Sequence, residues 1–120
     1  MKYLLLYAGD ETAAGLAVTE ETAAQPEEEC GGPWAQELRE RQIHQLTGGR
    51  LMPTSAATTV RTAGHETLVA DGPFAETKEQ ILGFDVIECA DLDAAIYAAS
   101  RHPVAVLGGT VEVRPFLQGA

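Results

Sequence analysis

The chain has 120 residues, enough for one domain with a single hydrophobic core. Hydrophobic residues make up 45% of it and charged residues 22%, an ordinary balance for a globular protein. The formal net charge of −10 argues against nucleic acid and against an anionic membrane surface as partners, because phosphate groups attract cations. We therefore expect one domain over residues 1–120 that binds neither.

The N-terminal segment MKYLLLY has an apolar run too short for a signal peptide, and no stretch reaches membrane-spanning length. Cys30 and Cys89 share no motif spacing with each other or with the histidines. This pattern predicts a cytoplasmic protein whose two thiols are reduced.

The N-terminal part predicts a strand, a loop and the start of a helix. Residues 2–7 (KYLLLY) are apolar on both faces, as in a central strand, and the Gly- and Ala-rich residues 8–18 predict a loop. Thr19 can cap a helix whose first turn carries Glu20 and Glu21, where the helix dipole favours acids.

That helix is predicted to be interrupted. Pro26 lies inside it, and residues 30–33 (CGGP) combine two flexible residues with a proline ring that cannot donate a hydrogen bond. We predict that the helix restarts at Trp34 and ends near His44, with a thin apolar stripe of Trp34 and Leu38.

The middle of the chain predicts a turn and three strands. Gly48-Gly49 indicates the turn. Residues 58–61 and 66–70 are β-prone, and Ala63-Gly64 between them predicts a hairpin corner. Residues 84–89 (FDVIEC) alternate between apolar and polar positions and predict the third strand.

The C-terminal part predicts a helix and a last strand. Asp91 caps the helix, and its apolar stripe is formed by four residues, Leu92, Ala95, Ile96 and Ala99. His102 is predicted to be a cation at the negative end of this helix, and Pro103 ends it. Residues 110–116 (TVEVRPF) alternate as a strand.

This order of strands and helices is typical of an α+β fold with two helices on one face of an antiparallel sheet. The opposite face is then uncovered, and it should carry aliphatic residues of the first strand with polar ones such as Arg61, Glu112 and Arg114. We expect a homodimer joined through this face by a two-fold axis.

The stretch DGPFAETKEQ at residues 71–80 resembles the signature of the DGPF group within the YCII-related family. The resemblance includes MKYLLLY, ATTVR at 57–61, ADLDAA at 90–95 and VEVRPF at 111–116. It implies a ferredoxin-like dimeric α+β barrel. The family's activity is mostly undefined: some wider relatives are enzymes on ring compounds, and a His–Asp pair has been suggested as the active site of others. Many DGPF genes neighbour genes for extracytoplasmic-function sigma factors.

Three residues are candidates for catalysis. Asp71 suits both a structural turn and an acid or base, and His44 could be a general base or an ordinary histidine at a helix end. Asp85 stands where the family pattern has an aromatic residue, and it puts a carboxylate into a half-buried strand. Either Asp85 or Glu88 is expected to face away from the helices.

Asp85 has two interpretations. It could form an acid/base pair with Asp71 or His44 in a pocket between sheet and helices, or an ion pair with Arg61 or Arg114 across a dimer. The first predicts a cofactor-free isomerase, dehydratase or eliminase acting on a small organic molecule. The alternative is a non-enzymatic accessory protein of a sigma-factor system. No metal-ligand spacing or nucleotide-binding motif is present, so we expect neither metal nor cofactor.

Overall fold

The structure is a computed structural model that describes residues 1–18 and 27–118, with side chains described for 1–18 and 32–118. The described part contains six strands, β1 Lys2–Gly9, β2 His44–Arg50, β3 Thr58–Ala63, β4 Glu66–Asp71, β5 Gln80–Glu88 and β6 Thr110–Pro115. Its helices are α1 Glu27–Glu40, α2 Leu92–Arg101 and the short α3 Pro103–Val106, with a 3₁₀ turn at Thr54–Ala56.

Four of the strands form one antiparallel sheet in the order β2-β5-β1-β6. The first strand in sequence is therefore central, as its two-sided apolar pattern predicts. Strands β3 and β4 form a separate hairpin between β2 and β5 along the chain. The α+β prediction is confirmed, and the arrangement is ferredoxin-like. Among the described residues, no helix is long and apolar enough to cross a bilayer.

The core lies between the helices and one face of the sheet. Strand β1 alternates along its length, and its buried side chains Tyr3, Leu5 and Tyr7 point toward the helices. Strand β5, the helices and the residues that follow them in sequence or precede them supply the rest of the buried cluster, which comprises Trp34, Leu38, Ile43, Ile87, Cys89, Ala95, Ala98 and Ala99. The other sheet face has no helix of the described chain over it, and there Leu4 and Leu6 stay half-buried.

The predicted break in the first helix is wrong. Helix α1 continues through Cys30-Gly31-Gly32 and contains Pro33. The burial of Trp34 and Leu38 against the sheet offsets the hydrogen bond that the proline removes. The predicted cap at Thr19, its acids Glu20 and Glu21, and Pro26 lie outside the described residues.

Helix α1 also ends earlier than predicted, at Glu40 rather than near His44. Gln42 adopts a left-handed conformation with φ of 61°, and the Ile43 N–H donates to the Leu38 carbonyl at 2.9 Å. This is a Schellman motif, and the buried Ile43 and Leu38 side chains supply its hydrophobic part. Because glutamine rather than glycine occupies the left-handed position, the sequence carries no signal for it.

Two further predictions need correction. Gly48-Gly49 lies inside strand β2 instead of forming a turn. In helix α2 the Asp91 cap is confirmed, since its side chain accepts from the Ala94 N–H at 2.9 Å. The buried face of α2 is, however, Ala95, Ala98 and Ala99, whereas Leu92 and Ile96 are exposed. Small residues allow this helix to lie close to the sheet.

Candidate functional site

Asp85 lies on the helix-covered face of the sheet, where we expected no acid. It is 6% exposed and stands opposite Leu5 in the β1–β5 register. Its Oδ2 accepts a hydrogen bond from the Tyr7 hydroxyl at 2.6 Å, and its Oδ1 accepts one from Gln45 Nε2 at 2.7 Å. Such donors lower the cost of burying a carboxylate, which explains how this face accommodates it.

Gly48 provides the space for the carboxylate. It is the cross-strand neighbour of Asp85, and a Cβ at this position would lie 1.9 Å from Asp85 Oδ1 and 2.6 Å from the Phe84 carbonyl oxygen. Both distances are too short for non-bonded atoms, so the present backbone geometry requires glycine at position 48. The glycine that predicted a turn is therefore required by the carboxylate and by the Phe84 backbone beside it.

An aromatic stack connects this carboxylate to the helix ends. The Tyr7 ring stacks on the His102 imidazole with centroids 3.8 Å apart and planes inclined by 13°. Trp34 of helix α1 contacts the same imidazole edge-on at 4.7 Å, and its Nε1 donates to the Ala98 carbonyl at 2.8 Å. Tyr7 thus contacts Asp85 with its hydroxyl and His102 with its ring.

His102 is a neutral residue rather than the predicted helix-end cation. Its Nδ1 accepts a hydrogen bond from the Val104 N–H at 3.1 Å, so a proton on the neutral ring is carried by Nε2. Burial lowers the pKa of His102 from 6.5 to about 4. The residue caps the start of α3 instead of offsetting the dipole at the end of α2.

The phenol of Tyr7 is held in its protonated form. Burial raises the pKa of Tyr7 strongly, and the neighbouring Asp85 charge raises it further. Tyr7 can therefore donate a hydrogen bond at neutral pH and at moderately alkaline pH. Gln45 is exposed on edge strand β2, so the Oδ1 side of the carboxylate is separated from solvent by one side chain.

The other two candidates lie elsewhere. Asp71 is the last residue of β4 and is exposed on the separate hairpin. His44 begins β2 and is exposed opposite Glu88, whose side chain points to the sheet face opposite that of Asp85. In the described chain, Asp71, His44 and Asp85 therefore do not form one cluster. Of the two arginines proposed as ion-pair partners of Asp85, Arg61 lies on the separate hairpin and not on the uncovered face, so its predicted place is wrong. Arg114 lies on the uncovered face and pairs with Glu112 at 2.6 Å.

A polar network on the outside holds α1 and α2 together. Tyr97 donates to Glu37 Oε1, and Arg101 Nε lies 3.1 Å from the same oxygen. The Tyr97 hydrogen bond, with the nearby arginines, lowers the pKa of Glu37. Arg41 stacks over the Tyr97 ring at 3.8 Å. This network fixes the relative positions of Trp34 on α1 and His102 after α2.

Other parts of the described chain give weaker site candidates. No group of three or more His, Cys, Asp or Glu residues among those described could hold a metal ion. A shallow cleft is lined mainly by apolar residues with two charged ones, Glu11 and Arg50, and none of the three predicted candidates lines it. Glu11 is occupied there as an acceptor for the Thr54 N–H at 2.9 Å.

Comparison with known proteins identifies the family of this chain. The model of the YCII-related domain matches residues 1–118. The chain belongs to the YCII-related family. An uncharacterised protein of Rhizobium meliloti (strain 1021) is 40% identical over 104 residues, with 74% of this chain and 84% of that relative covered. The candidate site of this YCII-related domain is the contacting cluster of Asp85, Tyr7, Gln45 and His102.

The sequence identified only one member of this cluster. Tyr7, Gln45 and His102 were not among the candidates, since Tyr7 reads as an apolar strand residue and His102 as a helix-end cation. The available signal was Asp85 itself: a buried acid requires donors, and tyrosine in the neighbouring central strand can supply one.

Proposed function

We propose that this protein binds a small organic molecule beside Asp85 and performs cofactor-free acid/base chemistry on it. The supporting observation is a carboxylate 6% exposed that is held by a tyrosine hydroxyl and a glutamine amide. Replacing such a group with a packed apolar residue is commonly neutral or stabilising, so stability alone does not account for it. Active sites are places where burial and polar neighbours are combined around an ionisable group, as they are around Asp85.

In this proposal Asp85 is the proton acceptor, and its hydrogen-bond donors Tyr7 and Gln45 hold it in place. Asp85 accepts a proton from a carbon or hydroxyl of the bound molecule and returns it at a second position, which isomerises the molecule or eliminates water from it. Tyr7 stays protonated and donates to the carboxylate, while Gln45 holds the other oxygen and faces solvent. Access is from the β2 edge, where Gln45 is exposed.

We also propose that the protein is a homodimer joined through the uncovered sheet face. Leu4, Leu6, Phe84 and Val86 are half-buried on that face, and the Glu112–Arg114 pair lies beside them. A two-fold axis would present the same patch from each copy. Light scattering at low micromolar concentration tests this, because a mass near 12.7 kDa would contradict it.

Proton exchange tests the chemistry without knowledge of the substrate. A panel of β-hydroxy and β,γ-unsaturated carbonyl compounds is incubated with the protein in D₂O, and deuterium at the carbon next to the carbonyl is measured by NMR. We expect incorporation with the wild type and with Asp71→Asn and His44→Gln, and at least a hundredfold slower incorporation with Asp85→Asn. Circular dichroism verifies that each variant is folded.

Binding is followed separately through Trp34, the single tryptophan of the chain, whose ring contacts His102. A compound that occupies the site should change its emission and protect the fold against heat. Equal exchange rates for wild type and Asp85→Asn would refute the catalytic role. Absence of both binding and exchange across the panel would favour the accessory role instead.

A further inference from the structure

Gln45 reaches Asp85 from an irregular part of edge strand β2. Gln45 stands opposite Ile87 of β5. Three positions later in β2, Gly48 stands opposite Asp85, which is only two positions from Ile87 in β5. Leu46 is therefore an extra residue that forms a β-bulge, and bulges beside functional sites commonly redirect a side chain. The bulge places both the glutamine amide and the glycine on the helix-covered face, next to the carboxylate.

The Gln45 amide has one hydrogen bonded to Asp85 and a second hydrogen beside it. Its Nε2 donates to Asp85 Oδ1 at 2.7 Å, and an amide nitrogen carries two hydrogens. Within the described part of the chain, the Gln45 side chain makes no other hydrogen bond, and the residue is exposed. A molecule that arrives from solvent at the β2 edge therefore meets a hydrogen-bond donor directly beside the carboxylate.

The spacing between this donor and Asp85 suits a carbonyl group and the carbon next to it. The two hydrogens of a planar amide nitrogen point about 120° apart, so an oxygen bound to the second one would be about 4.9 Å from Oδ1. In a carbonyl compound, the oxygen and the carbon next to the carbonyl are about 2.4 Å apart. That carbon can therefore approach Oδ1 to the roughly 3–3.5 Å from which a proton is transferred.

We propose that Gln45 binds the carbonyl oxygen of the substrate and that the substrate is an uncharged ketone, aldehyde or ester. The inference rests on the proposed function of Asp85 and adds a second group that contacts the substrate. Asp85 Oδ1 takes a proton from the carbon next to the carbonyl. The electron pair of that C–H bond forms a C=C bond, and the carbonyl π pair moves to the oxygen, where the Gln45 N–H stabilises the new negative charge.

The second half of the reaction restores the carbonyl. In a β,γ-unsaturated compound the proton returns to the γ-carbon, the oxygen regains its double bond to carbon, and the remaining double bond lies in conjugation with it. Atoms and electrons balance without a further reactant. Tyr7 keeps its hydrogen bond to Oδ2, so Oδ1 alone exchanges the proton.

The charge of Asp85 sets the charge of the substrate. A carboxylate substrate on the second Gln45 hydrogen would bring another negative charge within about 5 Å of Asp85, which is 6% exposed, and like charges repel strongly where water is scarce. The Tyr7 hydroxyl, the Gln45 amide and the His102 imidazole that accepts from Val104 are neutral and do not offset it. The net charge of −10 acts in the same direction.

Gln45→Met tests the amide, because methionine has a similar length and carries no N–H. Thr47→Val is the matched control, since Thr47 is exposed on the same strand and its register partner Val86 lies on the sheet face opposite that of Asp85. Deuterium incorporation from D₂O into methyl vinylacetate, a β,γ-unsaturated ester, is followed by NMR from acidic to alkaline pH. We expect the plateau rate at high pH to fall about a hundredfold or more for Gln45→Met and less than twofold for Thr47→Val.

The pH profile separates this role from a merely structural one. If Gln45 only held the carboxylate, its loss would make Asp85 retain its proton to higher pH, because a hydrogen bond to the charged form would be missing. The profile would then move to higher pH while its plateau stayed within about threefold of the wild type. That result would overturn the proposal.

A matched pair of compounds tests the substrate class in the wild type. Methyl vinylacetate and the vinylacetate anion have the same acyl chain and differ in the charge at the carbonyl. The ester should protect the fold against heat and change Trp34 emission at a concentration at least tenfold lower than the anion does. Equal binding of the two, or preference for the anion, would contradict an uncharged substrate.

Failure of this inference is distinguishable from failure of the proposed function. Slow exchange by Asp85→Asn together with a wild-type plateau for Gln45→Met leaves the Asp85 chemistry standing and removes the role of Gln45. Equal exchange by the wild type and Asp85→Asn, or no exchange with any carbonyl compound, overturns both. Circular dichroism verifies that each variant is folded, and the ester–anion comparison needs no variant.

Discussion

Protonation of His102 should destabilise the fold, because the buried imidazole accepts a hydrogen bond as a neutral base. Its pKa is 6.5 when unfolded and about 4 when folded. Between these values the unfolded chain binds the extra proton, so stability falls as pH falls. The penalty is absent above about pH 6.5 and complete below about pH 4. A pKa difference of this size corresponds to about 3 kcal/mol at most, and about 2 kcal/mol for a half-buried ring.

His102→Asn removes the titration and keeps the cap. The asparagine oxygen can accept from the Val104 N–H, as asparagine commonly does at helix starts. The variant loses the stack on Tyr7 and is therefore less stable than the wild type near pH 7.5. This deficit should shrink by about 2 kcal/mol between pH 7 and pH 4, because only the wild type carries the imidazole penalty.

The assay is urea unfolding by far-ultraviolet circular dichroism at fixed protein concentration, from pH 4 to pH 7.5. His65→Asn, in the exposed turn between β3 and β4, controls for the loss of a histidine elsewhere. NMR titration of the imidazole signal that disappears in His102→Asn gives the folded pKa directly. A deficit that stays constant or widens toward pH 4 would refute the neutral, hydrogen-bond-accepting imidazole.

Two further substitutions probe the surroundings of Asp85. Gly48→Ala should destabilise the protein by about 3 kcal/mol or more, since its Cβ would overlap the carboxylate. Gly32→Ala, whose Cβ meets no atom beyond its own helix and chain neighbours, should change stability by less than about 1 kcal/mol, because the gain in helix propensity is opposed by the following Pro33. Similar urea midpoints for the two variants would contradict the tight approach at Gly48. Tyr7→Phe should cost about 1.5–3 kcal/mol in the wild type and less than about 1 kcal/mol in an Asp85→Asn background. A coupling energy near zero in this cycle would disprove the phenol–carboxylate bond.

Much of the fold follows from local patterns. The two-sided apolar run of β1, the alternation along β5, the Asp91 cap and the Ala63-Gly64 corner are short-range signals, and each is confirmed in the structure. The failures are long-range effects. Helix α1 continues through Pro33 because Trp34 and Leu38 are buried against distant strands, and their thin apolar stripe does not by itself indicate that this burial outweighs the proline.

The site was less predictable than the fold for the same reason. An acid in a strand is unusual, so the sequence indicates Asp85 as a candidate. Its hydrogen-bond donors, however, lie 78 positions away in sequence at Tyr7 and 40 positions away at Gln45. The position of His102 after α2 predicts a cation, and this prediction is wrong because burial against Tyr7 and Trp34 favours the neutral ring. Only the strand order brings these residues into contact.

Gly48 and Asp85 together indicate that this part of the sheet has a role beyond packing. Glycine inside a strand weakens it, and a carboxylate beneath helices requires hydrogen-bond donors, so each alone is unfavourable. An apolar residue at 85 would remove the cost of the buried carboxylate, while position 48 would still require glycine because a Cβ there lies 2.6 Å from the Phe84 carbonyl oxygen. The same carboxylate is held by Gln45, which reaches it from the exposed edge strand. A fixed acid with a polar approach from solvent is what proton transfer to a bound molecule requires, and core stability requires neither feature.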